Sequence, residues 1–364
     1  MIRIDELYNN TFWPWAQHTL PGQRIFFCDP FGHTQPENLF NHGSDFIHES
    51  DYIFFHDQEP IQIEAHSKLF AEVIRRNKDI QPRAQGRVIV SERGERVDQL
   101  CNIYGWKPSY YFFHGWACLD WFRGYNRTFL FSHPKDRAYP TTTFMSPNRI
   151  IGGERDHRAL FIYHCAKSGL MHNNISAPTI CPVENISIHA IASKYDNIYH
   201  DITQVISNAN LPKLFAGEQT QQMTSCWLGN FAEAESSMIY VPTETVYFGR
   251  RTHLTEKTFK AIALGMPFVL VAAAGSLSYL KEYGFRTFDS VWDESYDQET
   301  DDLKRLEQVT KLLKDIDSLP LPEKNILWEK VLPIVEHNWN HFYHGGFERI
   351  LWQELKDMLD GIKV

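Results

Sequence analysis

Thr255-Glu256-Lys257 places a hydroxyl, a carboxylate and a cation side by side. A carboxylate only accepts hydrogen bonds, and its two oxygens match neighbouring hydroxyls such as the 2′ and 3′ groups of a ribose. A cation beside it can take up charge that develops on a phosphate. A second set of polar residues follows short apolar runs in the first third of the chain: Asp29, Asp57-Gln58-Glu59, Ser91-Glu92 and His114-Gly115. Carboxylates and histidines so placed can take a proton from a hydroxyl, which makes them candidate general bases. His337, His341 and His344 recur at i, i+4 and i+7, a spacing that can gather zinc ligands on one helical face, and Asp315-Ile316-Asp317 has the D-x-D spacing of metal-dependent transferases. Each group also has a plainer reading. Polar residues after strands are loop residues and helix caps, Thr-Glu-Lys is an ordinary helix start, Asp315 and Asp317 end an amphipathic helix, and Trp339, Phe342 and Tyr343 turn the histidine segment into a partly buried aromatic helix end.

The elements that would carry the first set alternate. Gln23–Cys28, Tyr52–His56, Arg87–Val90 and Ser109–Phe113 read as strands, with helices expected over Ile61–Arg76 and Arg93–Tyr104. Strand, turn and helix in succession build a parallel sheet covered by helices, and the carboxyl ends of its strands line one crevice. Between Phe131 and Asn148 the periodicity fails and prolines recur, so a domain boundary is expected near Thr142. Beyond it a helix is expected from Asp156 to about Lys167 and a strand over Ser237–Val241. Then come a helix capped by Thr255 and stopped at Gly265, a strand Pro267–Ala272, a helix after Ala274-Gly275-Ser276, and a strand Phe285–Phe288. The expected fold class is α/β, with two Rossmann-like doubly wound domains facing a cleft. Residues 1–142 would form the acceptor-side domain and 143–335 the second domain, with a helical segment over 336–364 that can pack back on the first.

The chain has 364 residues, 43% hydrophobic, enough for two domains. Its net charge of −9 argues against a protein held to nucleic acid by counterion release over its whole surface. Six widely spaced cysteines without a C-x-x-C pair indicate neither a zinc ribbon nor a disulfide framework. No apolar stretch is long enough to span a bilayer, and the N-terminus lacks the pattern of a secretory signal, so a cytoplasmic location is expected.

The run IYVPTETVYFGRRTHLTEKTFKAIALGMPFVLV, Ile239 to Val271, resembles the donor-binding stretch of the α1,3-fucosyltransferase family and of related phage and bacterial glycosyltransferases of the GT-B architecture. There an apolar strand leads to a Glu, and a loop leads to Thr-Glu-Lys opening a helix that ends before a Pro-Val strand. Glu244, Thr255-Glu256-Lys257 and Pro267-Phe268-Val269 hold those places. Ser146-Pro147-Asn148 and Arg158 stand in for the family's upstream Ser-Asn and Arg, with Pro147 interrupting, and Thr245 stands where the family has Asn.

The resemblance implies a glycosyltransferase, hexosyl or pentosyl, moving a sugar from a nucleoside-diphosphate donor to a hydroxyl acceptor with inversion and without a metal or other cofactor. Glu256 would clasp the donor ribose. Lys257, Arg158 and one of Arg250 or Arg251 would take the pyrophosphate charge, and Glu244, with Thr245, would face the transferred sugar. The base is expected at Asp57 or Glu59, with Asp29, Glu92, His114 and Asp120 as further acceptor-side candidates. The acceptor would be a glycan or a hydroxymethylated base in phage DNA, the latter placing the protein in the host cytoplasm. Two alternatives stand beside this: a non-catalytic nucleotide-sugar-binding protein, and a metal-dependent hydrolase using the C-terminal histidines.

Overall fold

The computed structural model describes residues 4–12, 14–15, 18, 24–28, 39–42, 52–57, 60–76, 85–127, 140–220 and 226–362. The protein is mixed α/β with small parallel sheets. It divides into two compact units: residues 1–120, 250–253 and 348–364 form the first, and 121–249 and 254–347 the second. The division therefore falls at Asp120/Trp121, ahead of the proline-rich stretch, and the last residues of the chain belong to the first unit.

The first unit holds a five-stranded sheet. In chain order its strands are β1 (Arg24–Cys28), β2 (Leu39–His42), β3 (Tyr52–Asp57), β4 (Gln85–Val90) and β6 (Lys107–Tyr110), arranged β2-β1-β3-β4-β6. β1, β3, β4 and β6 run parallel, in register from Ile25 opposite Phe54 to Val90 opposite Tyr110, and β2 adds an antiparallel edge. Helices α1 (Ile63–Arg76) and α2 (Glu95–Tyr104) supply the crossovers. Leu69 and Phe70 of α1, Val88 and Val90 of β4, and Val97 and Leu100 of α2 form one core with Trp106. Ile74 near the end of α1 is exposed. The expected fourth strand ends at Tyr110, and Phe113 opens helix α3 (Phe113–Phe122), so His114 lies in a first helical turn.

A two-residue strand, β5 (Arg93–Gly94), pairs antiparallel with β10 (Arg251–Thr252), bringing a segment from late in the sequence into the first unit. Gly94 is required there. Its φ is +142°, and a Cβ would stand 2.4 Å from the Arg250 carbonyl oxygen.

The second unit holds a parallel sheet of β8 (Asn174–Ile175), β7 (Thr142–Ser146) and β9 (Ser237–Tyr240), in the order β8-β7-β9. β7 occupies part of the stretch expected to be linker. Its Thr-Thr-Phe-Met-Ser run is β-favouring and mostly buried, and the nearby prolines obscure it. Pro267–Ala272 pairs with the end of β9 and the segment after it through two isolated parallel bridges, Tyr240 with Phe268 and Thr243 with Val271, and so extends the sheet less regularly than expected.

Around it lie α4 (Asp156–Lys167), α5 (Glu256–Leu264), α6 (Ser276–Glu282), α7 (Asp302–Asp317) and α8 (Leu321–Tyr343), followed by α9 (Gly346–Ile362). α7 packs on α4 and β7, and α5 on α8. Phe285–Phe288 is not a strand. The Asn338 side chain does what a neighbouring strand would, accepting from Arg286 N and donating to Arg286 O, both at 2.8 Å.

Candidate functional site

The carboxyl edge of the β8-β7-β9 sheet gathers the polar residues of the second unit. Just past β7, Asn148 donates to Ser146 Oγ at 3.0 Å and accepts from Thr243 Oγ1 at 2.8 Å, tying the end of β7 to the segment after β9. That segment delivers Glu244, which is fully buried.

Glu244 lies against the N-terminus of α5, where backbone N–H groups lack helical partners and the helix dipole favours an anion. Its Oε1 accepts from Thr255 N (3.1 Å), Thr258 N (3.2 Å) and Thr258 Oγ1 (2.6 Å), and its Oε2 from Thr255 Oγ1 (2.6 Å) and Thr245 N (3.4 Å). Both oxygens are engaged by the chain itself. The resemblance gives Glu244 to the transferred sugar, but in this structure it caps and orients the helix that starts at Glu256.

Glu256 and Lys257 sit on the first turn of α5. Glu256 is 7% exposed, and Lys257 Nζ lies 2.8 Å from Glu256 Oε1 and 3.2 Å from Thr255 Oγ1. The tripeptide thus combines a cap with an ion pair, and Glu244 anchors both from behind.

Arg158 is 3% exposed on the first turn of α4. Among the described residues it donates to main-chain carbonyls, to Ile150 O and Thr243 O at 2.7 Å and to Glu244 O at 3.4 Å, and its Nε has no partner there. Burial, aided by Arg155, pulls the guanidinium down to about 9, while Glu244 and Glu256 oppose the shift. It stays charged at neutral pH, with no carboxylate in hydrogen-bond contact among the described residues. His157 beside it stacks on Tyr247 (4.6 Å, 10°) and bonds through Nε2 to Glu244 O at 3.0 Å. Burial, then Arg158, holds its pKa well below the ordinary histidine value, so it packs as a neutral ring.

Arg250 and Arg251, the other expected pyrophosphate cations, belong to the first unit, and Glu256 to the second. Arg251 forms a buried fork with Glu92, Nε to Oε1 and Nη2 to Oε2, both 2.7 Å. Glu92 Oε2 also accepts from Ile61 N at 2.7 Å, and Arg251 Nη2 donates to Ile61 O at 3.0 Å. These two candidates, one from each expected side of the reaction, are therefore each other's partners. Arg250 N reaches Glu95 Oε1 at 3.4 Å. His114 is buried edge-to-face against His253 at 4.9 Å, and Asp120 is half-buried near the end of α3. Asp57 is the last residue of β3. Its side chain, with Asp29 and Glu59, lies outside the described residues.

The histidines of α8 are tied to the main chain. His337 and His341 stack in parallel, their Nε2 atoms 3.1 and 2.7 Å from the carbonyls of Gly284 and Tyr283. Among the described residues no group of three or more His, Cys, Asp or Glu could hold a metal, and Asp317 accepts from Thr143 Oγ1 (2.8 Å) and Asn173 Nδ2 (3.3 Å). No described helix is long and apolar enough to cross a membrane.

Two acidic residues of this unit escaped the sequence reading. Asp297 accepts from Leu277 N (3.0 Å) and Ser278 N (3.3 Å) at the start of α6. Glu218 is buried beside Ser176. In comparisons with known proteins the chain matches no family model, no curated protein and no solved structure.

Proposed function

We propose that the chain is a glycosyltransferase of the GT-B architecture that moves a sugar from a nucleoside diphosphate to a hydroxyl acceptor, a glycan or a hydroxymethylated DNA base, with inversion. The observation that carries this reading is the pairing, within one unit, of a nearly buried Glu256, ion-paired with a partly exposed Lys257 at the mouth of α5, with a buried Arg158 bound among the described residues by carbonyls. A charge kept in low dielectric without a carboxylate contact is costly, and an incoming anion offsets that cost. The parallel sheet supports the reading too, since ligands of such sheets bind beyond the carboxyl ends of the strands.

In this mechanism Glu256 accepts from the ribose hydroxyls, and Lys257 and Arg158 hold the pyrophosphate. The acceptor oxygen attacks the anomeric carbon while the bond from that carbon to the phosphate oxygen breaks. The electron pair leaves on the nucleoside diphosphate, where the cations stabilise it. The acceptor's proton passes to a carboxylate, for which Asp57 and Glu59 remain the candidates. Glu244 and Asn148 position the helix and the loop that carry these groups.

Calorimetry on Glu256→Ala tests the proposal. The preferred nucleotide should lose measurable binding while the thermal transition stays nearly unchanged, and an unchanged affinity would defeat the assignment. Donor binding by the wild type with neither transfer nor donor hydrolysis would favour the non-catalytic binding protein instead.

A further inference from the structure

The loop that delivers Glu244 is fastened by a stack of three buried side chains. Arg305 of α7, 2% exposed, lies 4.5 Å over the Tyr247 ring, and that ring lies 4.6 Å from the His157 imidazole at an interplanar angle of 10°. Two flat groups cannot share one face at these distances, so Tyr247 is held between a guanidinium and an imidazole. The negative face of the phenol attracts the cation. Arg305 also donates to Tyr247 O (2.8 Å), Ala272 O (3.0 Å), Glu299 O (2.8 Å) and Asp302 Oδ1 (2.6 Å), and the Tyr247 hydroxyl donates to Asp302 O (2.7 Å). Arg305 thereby fixes the ring on which His157 rests.

His157 carries this fixation on to Arg158. Its Nε2 faces the Glu244 carbonyl, which only accepts, so Nε2 bears the proton and Nδ1 holds a lone pair. Nδ1 is buried and has no partner among the described residues. An unpaired buried acceptor is costly, and an apolar side chain would fill the same space without that cost. What the imidazole supplies there is the bond to Glu244 O. Arg158 depends on the same stretch of main chain, its Nη2 donating to Thr243 O at 2.7 Å and to Glu244 O at 3.4 Å. Two adjacent carbonyls therefore set the plane of the guanidinium, and His157 holds one of them.

We propose that His157, seated on Tyr247 and through it on Arg305, is a positioning residue for anion binding by Arg158: by donating to Glu244 O it fixes the carbonyls that aim the guanidinium. A guanidinium recognises phosphate oxygens through the fixed geometry of its fork, so a small rotation of its plane costs affinity. The ligand class is the pyrophosphate of a nucleoside diphosphate. The inference rests on the transferase reading only in that Arg158 meets this anion.

The test titrates inorganic pyrophosphate, by calorimetry, into wild type, His157→Gln, His157→Asn, Arg158→Lys and the double variant of His157→Asn and Arg158→Lys. The two amides differ in reach. The Gln amide nitrogen can stand where Nε2 stands and donate to Glu244 O, whereas the Asn nitrogen stands nearer Nδ1 and cannot. His157→Asn should weaken pyrophosphate about tenfold, and His157→Gln should stay within about threefold of wild type. On the Arg158→Lys background, His157→Asn should cost nothing further, because the effect passes through Arg158. A merely structural histidine would give equal losses in both amides, or a loss that adds to that of Arg158→Lys, and either result overturns the proposal. So does unchanged affinity in His157→Asn. Should His157→Asn fold poorly, Tyr247→Leu, which removes the ring under the imidazole, takes its place in the same cycle with the same loss expected. Wild type that binds no pyrophosphate overturns both this inference and the role given to Arg158. Wild type that binds it, with Arg158→Lys weakened and His157→Asn not, overturns this inference alone.

Discussion

Glu244 and Arg158 divide the work at the sheet edge. One is an anion that the chain satisfies with α5, and the other a cation that the described residues satisfy with carbonyls. Their substitutions should therefore differ in kind. Glu244→Gln replaces one acceptor oxygen with an amide that cannot accept from Thr255 or Thr258. It should cost about 1–3 kcal/mol of stability in denaturant unfolding and weaken nucleotide binding through the displaced helix start. Arg158→Lys should lower affinity for pyrophosphate about tenfold or more, because an ammonium cannot bridge Ile150 O and Thr243 O while facing an anion. Pyrophosphate titrations at two salt concentrations measure this. Thr255-Glu256-Lys257 is legible in the sequence because cap chemistry is local. The partnership of Glu244 with Thr258 spans fourteen residues, and that of Glu92 with Arg251 spans 159, so neither leaves a local pattern.

At the level of elements, runs that are apolar and flanked by turns formed strands or helices where periodicity placed them, as for β1, β3, β4, β9, α4 and α5. The exceptions have separate causes. Phe285–Phe288 has strand composition, but an amide side chain supplies its partners. The β5–β10 ribbon is two residues long on each side and has no periodicity to read. Arg251 of β10 forms the buried fork with Glu92, the two side chains 3% and 0% exposed. Removing one partner strands a buried charge, so Glu92→Ala and Arg251→Ala should each cost about 3–5 kcal/mol. The double variant should cost clearly less than their sum in urea unfolding. Strict additivity would mean that the pair contributes no coupling.

For the molecule as a whole, the C-terminal end of α7 is joined to the start of β7 by Asp317. Burial alone would raise this carboxyl, but the bonds from Thr143 and Asn173 and the neighbouring His172 hold it below its ordinary value of 3.8. A depressed folded-state value contributes stability that is fully present above the ordinary value and lost as pH falls through the folded one. Asp317→Ala should therefore lower the melting temperature by about 2–4 °C at neutral pH, and the difference should shrink once the pH drops below 3.8. A gap that persisted in strong acid would assign the loss to packing.

The chain passes between the two units four times, at 120/121, 249/250, 253/254 and 347/348. The first unit is completed by α9, where Glu354 accepts from Arg93 Nη2 (3.2 Å) and Phe112 N (3.0 Å) and Trp352 meets Trp116 at 4.9 Å. During synthesis, then, the earliest translated residues wait for some of the latest. A ribosome that has delivered residues 1–120 holds Trp116 of α3 and the polar groups of Arg93 and Phe112 before their partners on α9 have been made. That exposed indole needs shelter from aggregation until α9 emerges.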